Sequence, residues 1–591
     1  MHLLHLVNLV SLYLLYGSVV SLQQVYAQGA PAKILTQETD AFINQVLADW
    51  KSPGGVAVAV VRRNEQGVWN VETKGYGNAT ANGTKVTENT LFAIGSNSKL
   101  FDALATGLLI SNETLSPRLS WTTKIASIIP NWQLMDSTAT KEATIIDLMS
   151  HRTGLPRHDL SYKWSDDVPT VIKKLKFQRP SAEFRDAWQY NNNMYLVMSY
   201  FPTVLLPSKL PYARYVKKYI FDLLGLKSTT FSYDVANASG QLADGIARKG
   251  IDYFKDPLGG TPQALPYWST KGGEDGNILS GAGGIISNAV DMATFLQALL
   301  LEGVKPGTNV SVIPADVIQR VSSGISVVSP IASTPELSPT VYGGGQVRGT
   351  YHGHEVVEHD GGTPGFLSSL SRLPFDNLGI AVLTNDNDYG GFISQVIKYR
   401  LMDEALGLEK VDWNGRYLEG ALFPPTPATP RPSNASLPSA NFSSLAGIYD
   451  NGGYGKFELC LVSLPHPAAS ESCKALKSNI PTILPGAVDP KIPTFIAAWD
   501  SPWASHVRFT HFSGNIFNVT TLTSFATKNA SEPFWTYGGD TSFNIDAHAE
   551  TVIEGSHIGI AVTGTWGAGP SVPAPQGKTA RDRAEVIFEK I

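Results

Sequence analysis

The chain has 591 residues, of which 43% are hydrophobic and 16% are charged. This composition is that of a globular protein large enough for more than one domain, and it excludes an intrinsically disordered chain. The net charge of −5 supplies no basic surface, so we expect no nucleic-acid partner.

Residues 1–27 read as a secretory signal peptide. An apolar run ends in Val25-Tyr26-Ala27, which puts small residues in the slots before a cleavage site. The alternative is a signal anchor, which the polar Gln23 and Gln24 disfavour. We therefore expect a secreted protein with no membrane contact after cleavage. Nine Asn-x-Ser/Thr sequons predict N-glycosylation. They begin at Asn78, Asn82, Asn112, Asn237, Asn309, Asn434, Asn441, Asn518 and Asn529.

The first predicted elements are a helix over 36–50 and strands over 54–62 and 69–77. The next segment contains Ser96-Asn97-Ser98-Lys99, just before an apolar helical run. Residues i and i+3 share one helix face, so the Lys99 amine can lie beside the Ser96 hydroxyl. A serine becomes a nucleophile when a neighbour takes its proton, and a buried lysine has the lowered pKa that this requires.

Two further motifs follow in chain order. Tyr190-Asn191-Asn192 is a Tyr-x-Asn triplet ahead of an apolar helical run, and His359-Asp360-Gly361 precedes a predicted buried strand. Alone, each motif is weakly specific. Their order and spacing carry more information than any one of them.

The chain changes character after a predicted amphipathic helix over 391–407. Residues 416–440 are rich in Pro, Ser and Ala and read as a linker. Residues 441–591 hold short strand-like runs between turns, which favours a small antiparallel barrel or sandwich. Cys460 and Cys473 are the two cysteines of the chain, and in an oxidising compartment we expect them to form a disulfide.

Together, S-x-x-K, Y-x-N and H-x-G resemble the serine β-lactamase and penicillin-binding-protein superfamily. The tyrosine version points to the class C β-lactamase-like branch, which includes family VIII carboxylesterases and D-aminopeptidases. The resemblance implies an α/β sandwich with a helical lobe over 28–415, and the opening of 441–591 resembles an appended lipocalin-like module. We expect that module to cover and stabilise the catalytic domain and to carry no catalytic residue; the alternative is that it binds a ligand of its own.

The resemblance also implies roles. Ser96 attacks the substrate carbonyl and forms an acyl-enzyme, and Lys99 and Tyr190 share the general-base role. Which of the two takes the first proton is left open. A nearby ammonium is expected to lower the pKa of the Tyr190 phenol. Asn192 is expected to hold the Lys99 side chain and to bind the substrate.

The oxyanion hole is expected to be the backbone N–H groups of Ser96 and Gly362, with Gly361 and Gly362 allowing close approach. His359 stands where many relatives have a lysine that holds a substrate carboxylate. A neutral imidazole supplies little of that interaction, so we expect an esterase or amidase in preference to an efficient β-lactamase. The alternative for His359 is a structural role at the sheet edge.

His151 is expected to be structural, whereas Arg157 and His158 are expected to contact substrate. The sequence shows no metal-binding constellation and implies no cofactor. The second function class is a non-catalytic relative that serves as a binding or structural module. The catalytic set is intact, with Ser96, Lys99, Tyr190 and Asn192 all present. This favours a secreted serine hydrolase acting on a small-molecule or peptide ester or amide. The physiological substrate and the oligomeric state are left open.

Overall fold

A computed structural model describes residues 32–423, 428–527, 533–538, 547–565, 567–568 and 572–591. The predicted signal peptide and the sequon at Asn529 lie outside the described residues. Before residue 424 the strands are β1 (Gly55–Arg63), β2 (Trp69–Gly77), β3 (Phe92–Ala93), β4 (Gly245–Lys249), β5 (Thr261–Leu265), β6 (Ile286–Ser287), β7 (Ser326–Ser329), β8 (Thr340–Tyr342), β9 (Val347–Tyr351), β10 (His354–Thr363), β11 (Phe366–Leu373) and β12 (Leu378–Thr384).

The α-helices of the same part surround this strand set. They are α1 (Gln37–Asp49), α2 (Ser98–Ser111), α3 (Ser137–Glu142), α4 (Ile145–Met149), α5 (Val168–Lys174), α6 (Asn192–Met198), α7 (Phe201–Leu205), α8 (Tyr212–Val216), α9 (Asp222–Leu224), α10 (Tyr233–Ala238), α11 (Ser280–Gly283), α12 (Ala289–Leu300), α13 (Ala315–Ser322), α14 (Gly390–Leu406) and α15 (Trp413–Leu422). The elements predicted over 36–50, 54–62, 69–77 and 391–407 are confirmed to within one residue at each end.

The central sheet has eight antiparallel strands in the order β2-β1-β12-β11-β10-β9-β8-β7. Strand β1 is buried on both faces because its side chains alternate between two cores. Val56, Val58 and Val60 pack with α1 and α14, whereas Ala57 and Ala59 pack with α2 and α12. The small alanines let α12 approach the sheet closely. The result is a helix–sheet–helix sandwich with a helical lobe beside it.

A second sheet forms from the C-terminal part. Its strands are β13 (Gly447–Asn451), β14 (Gly455–Leu461), β15 (Thr494–Ser501), β16 (Ala504–Ser513), β17 (Ile516–Ala526), β18 (Phe534–Gly538), β19 (His548–Glu554), β20 (His557–Thr563) and β21 (Val586–Lys590). Its helices are α16 (Phe442–Leu445), α17 (Glu471–Ile483) and α18 (Ala580–Arg583). The strand order runs from β16 to β18, and pairing of β16 with β17 closes eight of these strands into a barrel, with β18 added outside on β17. Aromatic side chains, including Tyr449, Phe457 and Phe588, fill the barrel interior.

The predicted linker and the predicted disulfide can both be compared with the structure. Helix α15 occupies the first residues of the segment predicted as a linker, 416–440, because Trp413 stacks on Tyr399 with ring centroids 4.6 Å apart and extends the catalytic core. The predicted Cys460–Cys473 disulfide is confirmed, and it ties helix α17 to strand β14.

The barrel contacts the catalytic part along residues 158–179. The Trp499 indole N–H donates to the Leu160 carbonyl (3.1 Å), and the Tyr454 hydroxyl lies 2.7 Å from His158 Nδ1. These bonds fix one side of the barrel near the segment that borders the candidate site. None of the helices in the described part of the chain is long and apolar enough to cross a membrane.

Candidate active site

Ser96 lies in a short 3₁₀ turn, Gly95–Asn97, immediately before helix α2. Its hydroxyl oxygen is 3.1 Å from Lys99 Nζ and 2.7 Å from the Tyr190 hydroxyl. Ser96 is half-buried, whereas Lys99 is fully buried. The structure therefore brings together the three side chains predicted to be catalytic, and both Ser96 and Tyr190 line the cavity described below.

Close backbone packing fixes this turn. Gly95 has φ +52°, and a Cβ there would lie 2.6 Å from the Gly362 nitrogen, so glycine is required twice over. Ser368 on β11 accepts a hydrogen bond from the Asn97 side chain (2.9 Å) and donates one to the Ile94 carbonyl (2.8 Å). Strands β10 and β11 thus pack against the nucleophile turn and hydrogen-bond to it.

Lys99 has the surroundings of a neutral amine. Burial lowers its pKa well below the ordinary lysine value, and the charge of Arg157 lowers it further, against the opposing effects of Asp159 and Asp102. Its Nζ donates a hydrogen bond to the Ala282 carbonyl at 2.6 Å. A neutral amine with that bond keeps a lone pair for the Ser96 hydroxyl proton.

The expectation for the Tyr190 pKa is wrong in sign. Burial raises the pKa of Tyr190 to about 12, and the charge of Arg157 and the hydrogen bond to Ser96 only partly oppose this. The physical reason is that Tyr190 is itself buried, and removing its charged form from water outweighs the positive charge nearby. Tyr190 is therefore a hydrogen-bond donor to Ser96 Oγ at neutral pH.

Asn192 is held differently from the expectation. Its side-chain amide donates to Asp159 Oδ1 (2.9 Å), while the Lys99 bonds run to Ser96 and to the Ala282 carbonyl. Asn192 lines the cavity in front of Ser96, which agrees with its predicted place near substrate. The correction is that Asp159, and not Lys99, fixes this asparagine.

His359 is a neutral imidazole in this site. Its Nδ1 lies 2.5 Å from the Asp360 carbonyl, which can only accept, so Nδ1 carries the proton and Nε2 accepts from the Tyr342 hydroxyl (3.0 Å). Burial, with the nearby lysine, lowers the pKa of His359 to about 4. The position supplies no positive charge at pH 7.

The two glycines after His359 border the nucleophile. A Cβ on Gly361 would lie 1.9 Å from the Ile94 carbonyl oxygen, so only glycine lets β10 pass the turn. Gly361 and Gly362 line the same cavity as Ser96. The predicted oxyanion donors, the N–H groups of Ser96 and Gly362, thus belong to two segments packed directly against each other.

The two histidines near the site are both internal. His151 is fully buried, and its Nδ1 accepts the Asn191 backbone N–H (3.1 Å), as expected of a structural residue. His158 is also fully buried, with Nε2 2.9 Å from the Arg179 carbonyl. The expectation that His158 contacts substrate is therefore wrong, because the barrel covers it. Arg157 does line the cavity.

The cavity in front of Ser96 has a volume of about 850 Å³. Sequence reasoning missed two residues that shape it. Asp159 accepts from Arg157 (2.6 Å) and from Asn192, and the only sequence signal was a carboxylate after the Gly-Leu-Pro stretch. Trp503 reaches the cavity from the barrel, and no local motif marks it.

Comparisons with known proteins identify the family of the chain. The family model described as Beta-lactamase matches residues 40–396. The unguisins hydrolase ungD of Aspergillus violaceofuscus is 30% identical over 450 residues, covering 71% of this chain and 75% of its own. The related ungD' of Aspergillus campestris is 30% identical over 400 residues, covering 65% and 68%.

A solved structure covers nearly the whole length. The octameric penicillin-binding protein homologue of Pyrococcus abyssi matches with a TM-score of 0.50 and 16% identity, covering 94% of this chain and 99% of its own. At that identity the match speaks for the fold alone. With the family model it confirms the predicted architecture, a β-lactamase-like α/β unit followed by a C-terminal barrel.

Proposed function

The chain belongs to the beta-lactamase family and is a serine hydrolase of that superfamily, and we propose that it cleaves an ester or amide bond through a covalent acyl-enzyme on Ser96. One observation carries the proposal. The Ser96 hydroxyl lies between a buried amine at 3.1 Å and a phenol at 2.7 Å, and it borders a cavity of about 850 Å³.

In the first step Lys99 is the base. Its neutral amine takes the proton of the Ser96 hydroxyl, and Oγ bonds to the carbonyl carbon of the substrate. The negative charge that develops on the carbonyl oxygen is stabilised by the backbone N–H groups of Ser96 and Gly362. Lys99 is then an ammonium, and its bond to the Ala282 carbonyl is strengthened by the charge.

In the second step the tetrahedral intermediate collapses. The bond to the leaving oxygen or nitrogen breaks, and the Tyr190 hydroxyl gives that atom its proton. The Lys99 ammonium replaces the proton on Tyr190 and is neutral again. Water then attacks the acyl-enzyme by the same route in reverse order, and the acid is released from Ser96.

A neutral His359 supports an uncharged substrate group at this position. A substrate carboxylate there would lose the charge-assisted bond that a lysine supplies, which is worth about 1.5–3 kcal/mol. Ester or amide cleavage by Ser96, Lys99 and Tyr190 needs no such anchor. The similarity to a relative named as an unguisins hydrolase supports hydrolysis over the non-catalytic alternative.

We also propose that the protein is secreted and N-glycosylated. The disulfide between Cys460 and Cys473 fits an oxidising compartment. Six of the predicted sequon asparagines are exposed in the structure, as glycosylation requires. They are Asn82, Asn237, Asn309, Asn434, Asn441 and Asn518. Enzymatic deglycosylation of secreted material should increase its mobility on a gel, and unchanged mobility would contradict this part.

Activity is tested by turnover of a substrate panel. Purified protein and its Ser96→Ala variant are assayed with short-chain p-nitrophenyl esters, aminoacyl amides and nitrocefin. We expect ester or amide turnover above that of nitrocefin, abolished in Ser96→Ala. Equal turnover by the variant, or no turnover of any ester or amide, would overturn the proposal.

A further inference from the structure

The cavity in front of Ser96 is built by both parts of the chain. Its described lining includes four barrel residues, Pro502 and Trp503 in the turn between β15 and β16, and Thr523 and Phe525 on β17. The remaining described lining residues come from the catalytic part. A module that only stabilised its neighbour would not need side chains in the substrate cavity.

The barrel rings join rings and aliphatic groups of the catalytic part to form an apolar wall. Trp503 lies nearly parallel to Trp268, at an interplanar angle of 13° with centroids 6.4 Å apart. Phe525 packs on Leu265 and Ala247. Trp503 and Phe525 are only half-buried, so part of each ring still faces the cavity. This wall is defined here as Trp268, Leu265, Trp503 and Phe525.

Hydrogen bonds fix the wall relative to the catalytic side chains. The Trp503 indole N–H donates to the Tyr162 hydroxyl (2.8 Å), which donates to Asp159 Oδ1 (2.7 Å). The same Asp159 oxygen accepts from the Asn192 amide (2.9 Å). Trp503 thus sits three hydrogen bonds from Asn192 in the lining of the site, and its ring is held at a set distance from that residue.

The barrel interior does not serve as the ligand site, because its own aromatic rings fill it. The barrel contributes Trp503 and Phe525 of the wall to the cavity that Ser96 also lines, and a ligand can contact them there. Aromatic and aliphatic walls bind apolar groups by burial and ring contact, and a few polar groups set the orientation.

We propose that the barrel is part of the substrate site, and that Trp503 and Phe525 select substrates with a bulky apolar group beside the scissile ester or amide bond. The inference rests on the proposed acyl-enzyme chemistry of Ser96 and adds the class of substrate. It assigns the C-terminal module a role in specificity.

The test compares matched substrates that differ in one group. Phenylpropanoate and acetate esters of p-nitrophenol vary the acyl side, and 2-naphthyl and phenyl acetate vary the alcohol side. Each is measured as kcat/KM for the full chain and for Trp503→Ala and Phe525→Ala. Ile516→Ala, at an exposed position on the same strand β17, is the matched control.

We expect each wall variant to lower kcat/KM for the bulky member of at least one pair by about tenfold, the range that a lost apolar contact gives. The small member should change by less than about twofold. Trp503→Phe keeps a ring and should keep most of the selectivity, which separates the wall from a purely positioning role through Tyr162. Ile516→Ala should leave unchanged, in each pair, the ratio of kcat/KM for the bulky substrate to kcat/KM for the small one.

Unchanged ratios in both pairs for both wall variants would overturn the inference. If Trp503→Ala does not fold, Phe525→Ala carries the test, since turnover of the small ester reports an intact site. Loss of all turnover in Ser96→Ala with unchanged ratios would reject the wall alone. Retained turnover in Ser96→Ala would reject the proposed function itself.

Discussion

Arg157 controls the proton affinity of the proposed base, and its replacement by glutamine should shift the pH dependence of catalysis. Its side chain bonds Asp159 (2.6 Å), and its guanidinium lies 4.8 Å from the Tyr190 ring centroid. Its positive charge lowers the Lys99 pKa, after the larger effect of burial, while Asp159 raises it. Arg157→Gln removes the positive charge that lowers the Lys99 pKa and leaves the negative charge of Asp159, which raises it, without a counter-charge. The Lys99 pKa should therefore rise.

The magnitude follows from the neutral fraction of the amine. Below the Lys99 pKa, each unit of increase lowers the neutral fraction tenfold, equivalent to about 1.4 kcal/mol. A charge close to a buried group shifts a pKa by about 1–3 units. We therefore expect the acidic limb of kcat/KM to move about one unit or more to higher pH, with a loss of about tenfold on that limb.

Tyr190 should not obscure this shift. Its pKa of about 12 rises further when Arg157 is removed, so the phenol stays protonated across the assay range. Activity on the alkaline plateau, where Lys99 is neutral in both proteins, should change little. A fall of the plateau together with the displaced limb would show that Arg157 also contributes to substrate binding.

The assay is a pH profile of kcat/KM with a neutral p-nitrophenyl ester, corrected for uncatalysed hydrolysis. Arg152→Gln is the matched control, since Arg152 lies in the same loop but pairs with Asp147 (2.7 Å) away from the cavity lining. Its profile should match the wild type. An acidic limb that stays in place, or moves to lower pH, in Arg157→Gln would refute the assignment of Lys99 as the base.

Three further predictions concern other parts of the molecule. His359→Lys should raise kcat/KM on anionic nitrocefin by about tenfold to a hundredfold, because it restores a charged hydrogen bond; an unchanged value would contradict the neutral-pocket argument. Replacing Cys460 and Cys473 by alanine should destabilise the barrel by about 3 kcal/mol in a denaturant melt, and unaltered stability would reject a structural disulfide. Gly95→Ala should abolish ester turnover, because its φ is +52° and its Cβ would lie 2.6 Å from the Gly362 nitrogen; near-normal turnover would show that this turn does not set the site.

Spacing along the chain predicted which side chains meet at the nucleophile. Ser96 and Lys99 are one helical turn apart, and the structure places them 3.1 Å apart at the start of α2. Short-range patterns also predicted helices α1 and α14 and strands β1 and β2 of the central sandwich, and β1 is buried on both faces. These features depend on local geometry, which a sequence records directly.

Other properties of the site depend on burial and on contacts between distant parts of the chain, which spacing along the sequence does not predict. The Tyr190 pKa was predicted to fall and is raised, because burial of the phenol disfavours its charged form by more than the positive charge of Arg157 and the hydrogen bond to Ser96 favour it. Asn192 bonds Asp159, 33 residues earlier in the chain, in place of the lysine. Trp503 and Phe525 reach the cavity only because the barrel docks on the loop after His158.

The central claim is that Ser96 is the residue that becomes acylated. Treatment of the purified protein with a fluorophosphonate probe, followed by peptide mass spectrometry, tests it most directly, with Ser96→Ala as the control. We predict one covalent adduct on Ser96 in the wild type and no labelling of the variant. An adduct on another residue, or equal labelling of Ser96→Ala, would contradict the account.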